Sequence, residues 1–293
     1  MSSRTHSIVK VLLVCLSAST LGAVLKIFYG YRTATLAFTA DGIHSLFDST
    51  STVVGIISVI LASKPPDADH PYGHQKFETV ASLILSFMLV LAGYEVGTLA
   101  FERFTHPERL AQYSFWGFAI LLGVMAVNLG VAYLEARKAK ELSSQFLLAD
   151  SFHNRSDFLV TCAVFVSLLS SKFAVPYVDG AVALLIALYL VYMAIHLLRE
   201  TIDPLVDHSV LDPNEVERIA SSVKGVLHCH AIRSRGHDGY KFLDLNIHLP
   251  GEITLFQAHE ITHTVEDKLK KKFPDLVDVV IHTEPHGHPP CAV

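Results

Sequence analysis

Two stretches of this chain, Ala40-Asp41-Gly42-Ile43-His44-Ser45-Leu46-Phe47-Asp48 and Ala149-Asp150-Ser151-Phe152-His153-Asn154-Arg155-Ser156-Asp157, both read A-D-x-x-H-x-x-x-D. Steps of three and four residues bring Asp, His and Asp onto one face of a helix. Carboxylate and imidazole are donors for zinc and related divalent ions. Both copies sit inside apolar runs. A lone histidine there ordinarily bonds a neighbouring helix, but two matched copies point to a shared site. In a bilayer each carboxylate costs about 2.5–3.5 kcal/mol to insert, so such a stripe must face a partner, a cavity or an ion. Arg155, inside the second copy, is placed against Asp41, Asp150 or the watered side without a choice among them.

Two further groups have metal-ligand character. In Lys64-Pro65-Pro66-Asp67-Ala68-Asp69-His70-Pro71-Tyr72-Gly73-His74-Gln75-Lys76 the prolines end a helix. Asp67, His70 and His74 then supply one carboxylate and two imidazoles within eight residues, with Asp69 as an alternative to Asp67. Ten of the seventeen histidines follow residue 200. His230, His248 and His282 fall one on each of three expected strands, His259 on a helix, and Glu284 stands beside His282, a set that suggests a second zinc-type site. His259-Glu260-Ile261-Thr262-His263 also matches the H-E-x-x-H pattern of zinc proteases. With no third ligand or oxyanion stabiliser evident, Glu260 and His263 read as surface residues. His286, His288 and Cys291 read as a loose tail.

The elements that must carry these groups divide the chain in two. Of 293 residues, 51% are hydrophobic and 17% charged, and the mean hydropathy is +0.40, too apolar for an ordinary soluble protein. Residues 1–206 hold the long apolar runs, and 207–293 have the charge density of a soluble domain. Six runs reach the roughly 20 residues needed to span a bilayer: 8–30, 35–61, 79–101, 114–135, 148–172 and 177–198. The short segments on the side of the termini carry eight Lys and Arg, and the opposite side four, which puts both termini and the soluble domain in the cytoplasm. The ionisable residues at mid-depth concentrate in the second and fifth spans. Ala136 to Gln145 reads as a charged loop. Beyond it, a helix from Pro213 to about 223, strands over 226–235 and 240–249, a helix over 255–272 and a strand over 276–283 give an αββαβ order. The fold class is thus a polytopic α-helical membrane protein of six transmembrane helices with a C-terminal cytoplasmic α+β domain, metallochaperone-like in its element order. The four cysteines have no disulfide spacing, and a net charge of −5 without a basic stripe argues against nucleic acid.

Together, the six spans, the paired motif, the D-x-x-H-x-x-x-H loop and the αββαβ domain resemble the cation diffusion facilitator family of metal/proton antiporters over essentially the whole chain. The resemblance implies a homodimer in the cell (inner) membrane. Each protomer would carry metal through a site of His44, Asp48, His153 and Asp157, a two-His, two-Asp set like that of zinc-preferring members. It implies a loop site at Asp67, His70 and His74, and a binuclear cytoplasmic site at His230, His248, His259, His282 and Glu284, where some relatives have Asp in place of Glu284. Lys76 and Asp207 match a salt bridge at the dimer's membrane-to-cytoplasm junction, and Asp41 and Asp150 lie outside the direct ligand set. The expected activity is Zn²⁺/H⁺ antiport out of the cytoplasm, not enzymatic catalysis, with Zn²⁺ both as cargo and in structural or regulatory sites. Metal entry expels protons from the ligands and protonation expels metal. Fe²⁺, Mn²⁺, Co²⁺ and Cd²⁺ are alternative cargoes. A membrane zinc protease acting through His259 and His263, and a metal-sensing membrane scaffold, are the alternatives of other classes.

Overall fold

A computed structural model describes residues 3–33, 36–105, 115–173 and 178–287. The chain forms two compact units, Met1–Ile202 and Asp203–Val293.

The first unit holds helices α1 (Ser3–Thr33), α2 (Leu36–Ala62), α3 (Lys76–Thr105), α4 (Phe115–Leu142), α5 (Gln145–Phe173) and α6 (Val178–Ile202). Among the described residues, α1, α3, α4 and α6 are long and apolar enough to cross a membrane, and α2 offers the shorter apolar stretch Asp48–Ala62. The repeated motif lies on α2 and α5. Packing is pairwise, α3 on α6, α1 on α2 and α4 on α5, while α5 also touches α2, α3 and α6. Leu12, Leu85, Leu89, Phe146, Leu147, Leu190 and Leu197 form the buried centre. Phe87, Leu91, Tyr94, Leu185 and Tyr192 point outward, as lipid-facing side chains do in a bundle whose solvent is hydrocarbon. At one α2–α5 crossing, Gly55 lies under the Phe146 ring, where a Cβ would stand 1.9 Å from Cζ.

The α4–α5 corner corrects one expectation. Residues 136–142 are not a charged loop but the last turns of α4. Glu, Ala, Arg, Lys and Leu are good helix formers, and Arg137 and Lys138 both pair with Glu141 at helical spacing. Only Ser143 and Ser144 separate the helices. Arg4 of α1 closes the end of α4, its Nε donating to the Leu142 carbonyl at 2.7 Å and its Nη2 to that of Ser143 at 2.9 Å. Ser144 caps α5, with its Oγ accepting from the Leu147 N–H at 3.2 Å. Glu78 of α3, only 2% exposed, accepts from Ser144 Oγ and from the Phe146 N–H at 3.3 Å. Its charge complements the positive end of the helix dipole.

The second unit comprises α7 (Pro213–Ser221), β1 (His228–His237), β2 (Tyr240–Leu249), α8 (Leu255–Lys272) and β3 (Leu276–Pro285). Asp212 caps α7 ahead of Pro213. Thr254 and Gln257 form a capping box on α8. The sheet order is β1-β2-β3, antiparallel between β1 and β2 and parallel between β2 and β3. Leu243, Leu245, Ile247 and Leu249 of the central strand pack with Val216 and Ala220 of α7 and Val265 and Leu269 of α8. The helices therefore cover one face of the sheet, and the alternate residues Asn246 and His248 belong to the other.

Candidate metal centres

The register of the sheet assembles the first centre. His228 pairs with His248 and His230 with Asn246, while His248 pairs with Glu284 and Asn246 with His282. Since alternate residues share a face, all six lie opposite the apolar core. His248 Nε2 approaches His230 Nε2 at 2.9 Å and Glu284 Oε2 at 3.0 Å, and His230 Nε2 is 3.3 Å from the same oxygen. Tetrahedral zinc with bonds of about 2.0–2.1 Å sets ligand atoms about 3.3 Å apart, so these three stand nearly at coordinating distance. Asn246 Nδ2 donates to Glu284 Oε1 at 3.0 Å, and His282 Nε2 lies 3.6 Å from that oxygen. Burial of Glu284 works to raise its carboxyl, but the bonds and charge from His230 and His248 and the Asn246 amide outweigh it and hold the group below its ordinary value.

His259 does not join this cluster within one chain. It is exposed on α8, on the helix-covered side of the sheet, with its ring 4.4 Å from that of His263. Glu260 and His263 are exposed as well, and among the described residues no third ligand gathers with them. His286 is not part of a loose tail: its N–H donates to the Leu249 carbonyl at 2.8 Å, and its ring stands 6.2 Å from His248. His288 and Cys291 lie outside the described residues. His228, Asn246 and His286 are neighbours of the centre that sequence reasoning did not select, although strand alternation places His228 and Asn246 on the ligand face.

The second centre is local in sequence. Asp67 Oδ1 accepts from the His70 N–H at 2.7 Å and the Asp69 N–H at 3.1 Å, a turn that folds the loop back on itself. That oxygen lies 3.3 Å from His70 Nδ1, and Oδ2 lies 3.3 Å from His74 Nε2. Asp67, not Asp69, is the carboxylate of the cluster. The His70 N–H above all, with the charge of both imidazoles, holds the Asp67 carboxyl below its ordinary value against partial desolvation. His74 is buried with Nδ1 unpartnered, and its carbonyl accepts from the Phe77 N–H at the start of α3.

The third centre lies between α2 and α5. Ligand atoms of Asp48, His153 and Asp157 lie within 4.8 Å of one another, with His153 Nε2 3.9 Å from Asp157 Oδ2. His153 is 6% exposed and neither ring nitrogen has a hydrogen-bond partner. A buried imidazole with both nitrogens unpartnered is costly, and a cation bound by the two carboxylates and the ring resolves it. All three residues line a cavity of about 290 Å³. The side chains of His44 and Asp41 lie outside the described residues. Arg155 faces away from the cluster, exposed, with its guanidinium 5.4 Å from the Phe152 ring.

The family is decided by the match of residues 12–206 to the cation efflux transmembrane domain and of residues 210–286 to the cation efflux protein cytoplasmic domain. The chain belongs to the cation diffusion facilitator family. It is therefore a divalent cation efflux transporter, an integral membrane protein with a cytoplasmic C-terminal domain. It is 32% identical over 269 residues to an uncharacterized transporter of Methanocaldococcus jannaschii, covering 89% of this chain and 93% of that one. To the manganese efflux system protein MneP of Bacillus subtilis it is 28% identical, covering 94% and 96%. To the cation-efflux pump FieF of Pectobacterium atrosepticum it is 27% identical, covering 89% and 87%.

In this family member the cavity at Asp48, His153 and Asp157 also contains groups the motif did not announce. Lys26 of α1, 4% exposed, lines it and donates from Nζ to Ser45 Oγ at 3.0 Å. Asp150 and Asn154 of α5 line it too. Ionisable residues that line this cavity thus come from the first helix as well as from the second and fifth. The signal was a lysine inside an apolar run, which in a membrane helix marks a function or a partner.

Proposed function

We propose that this transporter exports Zn²⁺ from the cytoplasm in exchange for protons by alternating access, as a homodimer of six-span protomers with both termini cytoplasmic in the cell membrane. The observation that carries this reading is His153, buried, unpartnered at both nitrogens and within coordinating reach of Asp48 and Asp157. His44, one turn ahead of Asp48, is the fourth ligand. Ligation needs deprotonated carboxylates and neutral imidazoles, so metal and protons compete for the same atoms. Cargo leaves on the outer face as His44 and His153 take up protons, chemistry suited to a group that titrates near neutrality. Asp67, His70 and His74, and His230, His248, His282 and Glu284, hold further Zn²⁺ that steadies the cytoplasmic region. His259, across the sheet from its expected partners, joins the second set only from the other protomer. Lys76 and Asp207 pair at the dimer junction.

A second cargo, Mn²⁺, is favoured by the named manganese efflux activity of MneP. The two imidazoles of the cage weigh toward zinc, because carboxylate, carbonyl and water suit manganese better. Flux into proteoliposomes, measured for Zn²⁺, Mn²⁺, Fe²⁺, Co²⁺ and Cd²⁺ at two pH gradients, tests the reading. Zn²⁺ flux that rises with the gradient and vanishes in His153→Ala is expected. Undiminished flux in that variant refutes the cage, and flux indifferent to the gradient refutes exchange.

A further inference from the structure

Among the described residues that line the cavity at Asp48, His153 and Asp157, Lys26 of α1 is the one lysine or arginine, and Asp48, Asp150 and Asp157 supply the carboxylates. Behind them Glu135 of α4, fully buried, accepts from Asn154 Nδ2 at 2.8 Å. Lys26 stands seven residues before the end of α1 at Thr33, where a long side chain ordinarily snorkels to the membrane surface. It turns inward instead, 4% exposed, with Nζ 3.0 Å from Ser45 Oγ. A close approach of α1 and α2 makes this possible. Gly42, in the first copy of the motif, lies so tightly against α1 that a Cβ there would stand 2.8 Å from the Ile27 nitrogen and 3.0 Å from the Ala23 carbonyl oxygen. Lys26 is thereby set against the turn of α2 that leads to Asp48, which follows Ser45 by three residues on the same helix face.

A bond to Ser45 alone does not call for a lysine. A side-chain amide would donate as well, without the cost of burying a charge. The charge finds its use in the carboxylates of the same cavity, which are costly to hold in a low-dielectric interior unless an opposite charge accompanies them. We propose that the Lys26 ammonium is a tethered counter-cation of this cavity, which balances the empty cage and sets how tightly the cage grips a divalent ion. The ammonium and the ion draw on the same carboxylates, and they repel each other where screening is poor. Each therefore weakens the hold of the other. The cage binds its ion less tightly than its donors alone would, and releases it sooner. This role rests on the reading of Asp48, His153 and Asp157 as the cargo ligands.

Initial Zn²⁺ flux into proteoliposomes, measured with the full-length protein over a range of Zn²⁺ concentrations, tests it. Lys26→Gln keeps a donor for Ser45 and removes the charge, Lys26→Met removes both, and Lys26→Arg keeps both. KM and maximal flux should each fall about 10-fold or more in the two neutral variants. The first falls because the repulsion is gone, and the second because the ion leaves slowly. Lys26→Arg should stay near the wild-type KM. Two neutral variants are read so that the outcome stands if Lys26→Met alone fails to insert. Wild-type kinetics in Lys26→Gln overturn the proposal, since the bond to Ser45 would then account for the lysine. A KM raised in both neutral variants, or lowered as far in Lys26→Arg as in Lys26→Gln, overturns it too. His153→Ala separates this failure from that of the cage. Wild-type flux in His153→Ala sinks the cage and the counter-cation with it, whereas flux lost there, with a wild-type KM in Lys26→Gln, removes the role of Lys26 alone.

Discussion

Gly55→Ala is the substitution that most directly tests whether the α2–α5 crossing sets the cargo site. Gly55 follows Asp48 by seven residues and Phe146 precedes His153 by seven, so in each helix the contact and the ligand share a face two turns apart. Phe146 is 1% exposed and belongs to the buried centre, so its ring has nowhere to retreat. A Cβ on residue 55 would stand 1.9 Å from Cζ and 2.0 Å from Cε1 of that ring, about 1.5 Å short of the 3.4 Å where ordinary contact begins. The helices must part by about that amount, and the site lies only about 10 Å along the axes. A misplacement of about 1 Å in a constellation that must close on its target is worth about 100-fold. We expect Gly55→Ala to lower flux per unit of reconstituted protein, and Zn²⁺ affinity at the cage, by about that factor while the chain still inserts and purifies. Adding Phe146→Leu to the same chain should recover part of the loss, because a smaller side chain admits the methyl group. The measurement is initial flux in proteoliposomes paired with Zn²⁺ titration of single, double and wild-type chains. Wild-type flux and affinity in Gly55→Ala, or a double variant worse than the single, refutes the view that this crossing sets ligand spacing.

Two other expectations concern stability. Glu78→Ala removes the acceptor of Ser144 Oγ and the Phe146 N–H from a buried corner. A hydrogen bond to a charged group contributes about 1.5–3 kcal/mol, so the variant should melt several degrees below wild type in detergent; an unchanged Tm contradicts the capping role. In the cytoplasmic domain, Glu284 has a folded-state carboxyl pKa below the ordinary 4.5, so its stabilisation is full above that value and is lost as pH falls through the folded value. The Tm gap between wild type and Glu284→Gln, both metal-free, should therefore be widest near neutrality and close in acid. A gap that widens on acidification reverses the sign and excludes the pairing described.

What was legible in the sequence was local. Asp67, His70 and His74 are spaced so tightly that a single turn gathers them, and the A-D-x-x-H-x-x-x-D repeat encodes a helix face in its steps of three and four. The strand at 240–249 and the helix at 255–272 have the bounds expected from periodicity and capping. Non-local facts were harder to read. Apolar periodicity ends before the charged turns of α4 do, because helix propensity and paired charges, not hydrophobic burial, sustain residues 136–142. Glu135 and Lys26 are single charged residues whose facing depends on how α4 and α1 rotate against α5, and no residue of their own runs fixes that rotation. The place of His259 was legible in principle. With Leu243, Leu245 and Ile247 on the core face, a helix packed on them cannot reach Asn246 and His248 on the other.

Helix α5 shows how one element reconciles a fixed frame with an exchanging site. Its first turn is saturated: Ser144 caps it, Glu78 takes the Phe146 N–H, and Phe146 locks over Gly55. Two turns later the satisfaction stops, and Asp150 and His153 are buried with unpartnered atoms. Buried polar groups without partners are rare because they are expensive, and Asp150 and His153 bring two of them to one helix, on the wall of one cavity. Had the same groups stood in the first turn, the capping network would have consumed them. Placed beyond it, they are held in position by the frame while their lone pairs remain free for a cation or a proton. The boundary between the two regimes falls between Leu147 and Asp150: before it the side chains fix the frame, including the helix spacing that Phe146 and Gly55 impose, and after it they are left available to bind.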